Sequence, residues 1–248
     1  MNADNKNLLR LFVSRETLSR GENHALSEGQ IHYLRNVMRL EMGGHLRAFN
    51  GRNGEWRAEV TELSKKKAII TFIEKIREQT ATPELEILAS PVKKEAFDFM
   101  VEKATELGAT RFRPIICDHT VIHRANEARL QALSTEAAEQ CERLDIMEIT
   151  PLEGLANVLN TTWPADRKLI FCVERASAPP ILSAVEAHIK RPLSILIGPE
   201  GGFSDSEVKV ISTLPFAIPV SLGPRILRAE TALIAAVACV QALRDRSP

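Results

Sequence analysis

The stretch Leu193–Leu243 restricts the fold of this chain more than any other. It contains Ile-Gly-Pro-Glu-Gly-Gly-Phe-Ser at Ile197–Ser204 and Leu-Gly-Pro-Arg-Ile-Leu-Arg-Ala-Glu-Thr-Ala at Leu222–Ala232. Each glycine turn follows an apolar, strand-like run, Leu193–Ile197 or Ala217–Leu222, and opens onto a helix-like segment. Two strand–loop–helix corners so close in sequence predict one pocket built largely from backbone. In open α/β sheets, ligands bind beyond the carboxyl ends of strands, which is where these corners fall.

The spacing within the corners excludes familiar phosphate cradles. Gly198-Pro-Glu-Gly-Gly202 is not G-x-G-x-x-G, and no Gly-Lys-Ser/Thr follows it. Glu200 within the loop would repel a polyphosphate. The glycines instead let backbone donors and acceptors approach a flat, polar, unphosphorylated ligand such as adenine with a ribose. Ser204-Asp-Ser-Glu207 has capping-box spacing, so a helix is expected over Asp205–Ser212. Arg225 and Arg228 stand at or before the first turn of the next expected helix, Arg225–Leu243, where the macrodipole disfavours cations. An anionic partner beside the pocket would account for them. Beyond them, Ala232–Val240 is apolar on nearly every side, so that helix is expected to be buried all round or against a second copy of the chain.

Composition narrows the class. The chain has 248 residues, 44% hydrophobic and 26% charged, enough for one large domain or two smaller ones. No apolar run is long enough to span a bilayer, and Met1–Lys6 lacks the hydrophobic region of a signal peptide, which suggests a cytoplasmic protein. Cys117, Cys141, Cys172 and Cys239 are scattered, as expected of reduced thiols and not of a disulfide framework or a zinc site. His119 and His123 sit four apart without the glutamate of a metalloprotease helix, so no metal is expected. Net charge is zero but uneven. Residues 1–80 carry 14 Lys and Arg against 10 Asp and Glu, a net of +4, and the remainder 18 against 22, a net of −4. A basic N-terminal part fits a polyanion, and equally an ordinary solvated surface.

Periodicity predicts two domains, 1–76 and 85–248, joined by a polar linker at 77–84. In the first, Leu8–Val13 reads as a strand. Ser27-Glu-Gly-Gln30 caps a helix whose Ile31, Leu34, Val37 and Met38 share one face and which ends at Gly43-Gly44. Strands follow from His45 to Asn50 and through Trp56, Ala58 and Val60, with turns at Gly51–Gly54 and Lys65–Lys67 before Ala68–Ile76. This pattern predicts a small β-rich, barrel-like domain. The second part alternates strands (Leu85–Ala89, Phe112–Cys117, Lys168–Val173, Leu193–Ile197, Ala217–Leu222) with helices (Lys94–Leu107, Ala125–Leu144, Ile181–Ile189, Asp205–Ser212, Arg225–Leu243). That rhythm is an α/β domain with a mainly parallel sheet.

The two corners resemble the signature of the RsmE-type ribosomal RNA uridine N3-methyltransferases of the SPOUT superfamily. The resemblance extends to Lys103–Gly108 with Pro114, to Glu136–Gln140 with Arg143, and to Arg10–Val13 and His32–Arg39, so it covers nearly the whole chain. Ala229 departs from a more usual threonine. The resemblance implies a PUA-like RNA-binding barrel, a C-terminal SPOUT domain threaded into a trefoil knot, S-adenosylmethionine as cofactor, and a homodimer. The implied substrate is a uridine of 16S ribosomal RNA in the small ribosomal subunit. It also implies cofactor contacts at Val173, Leu196, Ile197, Gly198, Gly201, Gly202, Leu222, Gly223, Ile226, Leu227, Arg228 and Thr231.

For methylation at uracil N3, an arginine can stabilise charge on the base oxygens, and Arg228 is the first choice. Glu200 is the candidate base, with a structural bridge to an arginine as the alternative. Arg10, Arg35, Arg39, Lys93, Lys94 and Arg225 are the candidate RNA contacts, and Arg35 and Arg39 lie four apart, as one helix face requires. Two rival classes are weighed. A nucleotide-dependent oxidoreductase fails on glycine spacing, and a non-catalytic RNA-binding ribosome-assembly factor is opposed by the intact corners.

Overall fold

The computed structural model describes residues 8–161, 163–173 and 178–246. The chain divides into two compact units, 1–81 with 138–146 and 82–137 with 147–248. Residues 138–146 thus join the first unit, which differs from the expected contiguous division. Residues 1–7, including the N-terminal stretch read as lacking a signal peptide, lie outside the described residues.

The first unit contains β1 (Arg10–Phe12), β2 (Asn23–Ala25), α1 (Glu28–His32) with a π-helical turn at Tyr33–Val37, β3 (His45–Phe49), β4 (Glu55–Leu63) and β5 (Ala68–Arg77). Its sheet runs β1-β3-β4-β5-β2, with β1 parallel to β3 and the other pairs antiparallel. Three register shifts in the β4–β5 ladder bend the long hairpin, as bulges do. Trp56, Ala58 and Val60 point into the core as their alternation predicts, and Ser64 N–H closes the Lys65–Lys67 tip on Lys67 O at 2.7 Å. The capping box forms at Ser27 and Gln30. The helix does not run on to Gly43-Gly44. It widens at Tyr33, and Arg39 then takes φ 52°, a left-handed position more often given to glycine. Val37 and Met38 are therefore exposed, and Leu40 packs against the core in their place.

The same unit buries a charged cluster. Glu55 is 0% exposed and Arg10 4%. Arg10 Nε donates to Glu55, and its other nitrogens donate to Ala138 O at 2.6 Å and Arg143 O at 2.5 Å. Arg47 and Arg77 approach the second Glu55 oxygen at 3.7 and 3.6 Å. Arg10 is therefore no surface cation. Its place among the RNA contacts is withdrawn, because its guanidinium is consumed inside the unit and lies 3.9 Å above the Phe49 ring.

The second unit comprises β6 (Leu85–Ala89), α2 (Lys94–Glu106), β7 (Arg111–Ile116), α3 (Glu127–Gln140, whose last turn belongs to the first unit), β8 (Glu148–Ile149), β9 (Glu153–Gly154), α4 (Leu155–Thr161), β10 (Lys168–Cys172), α5 (Ile181–Val185), β11 (Leu193–Ile197), α6 (Asp205–Ser212), β12 (Ala217–Val220) and α7 (Ala229–Arg244). Its sheet runs β12-β10-β11-β6-β7-β8, with β9 also on β7, and every pairing is parallel. β6 and β11 are buried at every residue, as mainly apolar strands in a two-sided sheet must be, and their polar members Glu86 and Ser194 satisfy each other at 2.9 Å. Neighbouring strands β12, β10 and β11 all end on the same edge, so the loops after them converge. That convergence positions the candidate site.

α7 begins at Ala229, four residues later than expected, because Arg228 keeps an extended backbone with ψ 156°. It buries Leu233, Ala236, Val237 and Val240 against the domain core but leaves Thr231, Ala238 and Ala242 exposed. The helix is thus buried on one face, not all round.

Candidate functional site

A cavity of about 1200 Å³ opens where the three loops meet. Its walls are the end of β10 (Cys172, Val173), the loop from Ile197 to Phe203, the start of α6, and the segment from Ser221 to Ala229. The loop after β11 is rigidly braced. Ser204 Oγ accepts from Glu207 N–H at 3.2 Å, and Glu207 returns a bond to Ser204 N–H at 2.9 Å. Phe203 packs edge-on against Phe171, with centroids 5.0 Å apart. The β7 loop is stitched to the same corner: Asp118 N–H donates to Glu207 at 2.9 Å, the Ser204 hydroxyl donates to Asp118, and His119 Nδ1 lies 3.1 Å from Gly201 O.

Two glycines shape the cavity wall directly. Gly202 has φ 69° and Gly223 φ 111°, and a Cβ on either would meet no atom within 4 Å. Both conformations favour glycine, and the space beside both is open to a ligand. Gly223→Ala is expected to destabilise the protein by about 1–3 kcal/mol through backbone strain alone. Urea unfolding measures this, and an unchanged midpoint would show that the turn relaxes freely.

Val173, Ile197, Gly198, Glu200, Gly201, Gly202, Leu222, Gly223, Arg225, Ile226, Leu227 and Arg228 line the cavity together, as the two corners predict. Leu196 and Thr231 do not. Strand alternation turns Leu196 into the opposite core beside Leu88, Ile115 and Phe171, and Thr231 is exposed in the first turn of α7. Both leave the set of lining side chains. Arg225, Arg228 and Glu200 are exposed, and among the described residues none has an ion-pair partner, so the alternative bridge from Glu200 to an arginine does not form. Lys93 and Lys94 are exposed at the N-terminal end of α2.

Sequence reasoning missed Cys172, Phe203, Asp205 and Ser221 as wall residues. Ser221 carried a readable signal: its hydroxyl accepts from Gly223 N–H at 3.1 Å, the local turn that a serine two residues before a glycine can make. Cys117, at the base of the β7 loop, is buried against Ser90 and Thr120. Burial pushes its thiol up to about 12, against the opposing hydrogen bond from Ser90. An unfolded cysteine titrates near about 8.5. The native state therefore holds a proton that the unfolded chain releases, and this stabilisation, complete below that pH, is lost as pH rises towards the native value. The Cys117 thiol is expected to lower the unfolding free energy from urea titrations between these limits by up to about 1.4 kcal/mol per pH unit. Because burial raises the Cys172 and Cys239 thiols as well, Cys117→Ala should reduce the slope without abolishing it. Equal slopes in both proteins would contradict it.

Parallel strands whose carboxyl-end loops wall such a cavity define an α/β domain with a pocket of the nucleoside-binding kind, in a chain that also contains a small mixed-sheet unit. Residues 78–241 match the family model of the RNA methyltransferase domain, and residues 26–73 match that of the RNA methyltransferase PUA domain. A ribosomal RNA small subunit methyltransferase E from Synechocystis sp. is 34% identical over 225 residues, covering 89% of this chain and 73% of that relative. The crystal structure of a ribosomal RNA small subunit methyltransferase E from Neisseria gonorrhoeae bound to S-adenosylmethionine superposes with a TM-score of 0.83 at 27% identity, covering 96% of this chain and 98% of that one. A Legionella pneumophila protein crystallised with the same cofactor gives a TM-score of 0.84 at 27% identity, covering 95% and 98%. The chain belongs to the RNA methyltransferase family, in the group of ribosomal RNA small subunit methyltransferase E.

Proposed function

We propose that this protein methylates N3 of a uridine in 16S ribosomal RNA of the small subunit, using S-adenosylmethionine, as a cytoplasmic homodimer with a knotted C-terminal segment. The observation that carries the reading is the cavity itself, where glycine-opened backbone from two strand ends meets two arginines in the segment leading into α7, neither ion-paired among the described residues. The open space beside Gly202 and Gly223 suits a flat ligand lying against backbone. Ile197, Leu222, Leu227 and Ala232 offer apolar surface for an adenine, and Val173, Gly198, Gly201 and Ile226 complete the cofactor set.

When bound, the cofactor supplies a methyl group already activated by its sulfonium charge, so the protein's main task is alignment. Arg228 stabilises negative charge on a uracil oxygen as the N3 proton leaves. Glu200 accepts that proton on a carboxylate oxygen, and Arg225 holds a neighbouring phosphate or base edge. Lys93 and Lys94 add phosphate contacts. The exposed small-residue face of α7, at Thr231, Ala238 and Ala242, supports the dimer reading. Incubation with methyl-labelled cofactor and unmethylated small subunits should place label on ribosomal RNA. Cofactor binding without transfer to any RNA would favour a non-catalytic assembly factor and overturn the reading.

A further inference from the structure

Among the described residues, nine large apolar side chains are exposed, and four of them, Tyr33, Val37, Met38 and Met42, fall within ten consecutive positions. Val37 and Met42 are 58% and 71% exposed. This exposure is built in. A continuous α-helix from Glu28 would carry Val37 and Met38 onto the core face behind Ile31 and Leu34. The π-helical turn closes instead with Met38 N–H on Tyr33 O at 3.0 Å, and Leu40 N–H then reaches back to Leu34 O at 2.9 Å. The slip gives the core position to Leu40 and turns Val37 and Met38 outward. Wide helical turns and left-handed non-glycine residues such as Arg39 recur at functional sites.

The charges around the patch have a matching character. Arg10, Arg15, Arg47, Arg57 and Arg77 of this unit are each ion-paired, whereas Arg20, Arg35, Arg39 and Arg52 have no carboxylate partner among the described residues, and of these four only Arg35 and Arg39 fall within the apolar stretch. Residues 33–42 hold these two arginines against one carboxylate, Glu41. Phosphates of a duplex would need only the arginines. An apolar patch between them needs exposed base faces, which an RNA helix hides and a loop offers.

We infer that Tyr33, Val37, Met38 and Met42, with Arg35 and Arg39, form a docking surface for an unpaired stretch of RNA. The bases stack on Tyr33 and the neighbouring methionines, and the phosphates lie on the arginines. The inference rests on the proposed RNA-modifying function and names the surface that recognises its substrate.

Tyr33 is the single tyrosine of the chain, so full-length protein made with 3-fluorotyrosine gives one fluorine resonance from this surface. A hairpin RNA with an unpaired uridine loop should shift that resonance, and a fully paired duplex of the same stem should not. Tyr33→Ala and Met38→Ala should each weaken hairpin binding on the order of tenfold, Tyr33→Phe should retain it, and cofactor affinity should stay unchanged. A hairpin that binds with the resonance still and Tyr33→Ala unaffected would overturn the surface while leaving the RNA reading intact. A resonance that moves with protein concentration in the absence of RNA would make it a self-association face instead. A hairpin that fails to bind at all would overturn the surface, while methyl transfer to small subunits decides separately on the function it serves.

Discussion

Glu55→Ala is expected to destabilise the N-terminal unit by about 3–5 kcal/mol, the cost of leaving buried charge without its partner. Glu55 is fully buried, and three guanidiniums, from Arg10, Arg47 and Arg77, converge on its carboxylate. Removing it leaves Arg10 buried without its carboxylate, while Arg47 keeps Glu142 at 2.7 Å and Arg77 can reach solvent. Arg10 and Arg77 also donate to carbonyls of the 138–146 segment, at Ala138, Arg143 and Glu142. Loss of the carboxylate should therefore loosen that segment as well. Glu55→Gln keeps an acceptor for Arg10 but no charge, and should fall between the two. The measurement is urea unfolding followed by Trp56 fluorescence in a Trp163→Phe background, since the chain has two tryptophans and Trp56 lies in this core. A loss below about 1 kcal/mol would mean that the arginines find water or other acceptors, contrary to this account.

Arg228→Ala is expected to lower the single-turnover rate of methyl transfer by about 10²–10³, the usual loss when one preorganised donor to developing negative charge is removed. Although Arg228 is also among the implied cofactor contacts, cofactor affinity should fall much less than the rate, because on the proposed reading most of the adenosine surface is made by other residues. Stability separates this role from a structural one. Arg228 is exposed, caps nothing, and sits at the N-terminal end of α7, where a cation is unfavourable. Its removal should leave the melting temperature unchanged or slightly higher. Arg228→Lys should recover part of the rate. A wild-type rate in Arg228→Ala would transfer the role to Arg225.

Local signals were legible where they were self-sufficient. Leu85–Ala89 and Leu193–Ile197 are mainly apolar segments of strand length, as a two-sided sheet requires, and Ser204 with Glu207 fixes the start of α6 by a bond pair three residues apart. Both glycine corners line the cavity because strand ends and turns are local properties. Non-local pairings were not legible. β8 and β9 are two residues each and exist only because β7 lies beside them. Residues 138–146 join the first unit through donors from Arg10 and Arg77, more than sixty positions away in sequence. Arg10 itself looked like a surface cation, because a sequence does not show that Glu55 waits inside the sheet. Val37 and Met38 matched a helical stripe, and one widened turn moved them to the surface.

In the proposed function, the cavity between the glycine corners directs methyl transfer to N3 of a ribosomal uridine. The most direct measurement labels unmethylated small subunits with this protein and methyl-labelled cofactor, digests the RNA to nucleosides, and identifies the labelled one by chromatography beside authentic standards. Reverse transcription of the same RNA locates it, because N3 methylation blocks pairing. The expected result is a single labelled nucleoside, 3-methyluridine, with one new stop within 16S RNA. Label in a ribose-methylated or C5-methylated nucleoside, or in no nucleoside at all, would contradict it.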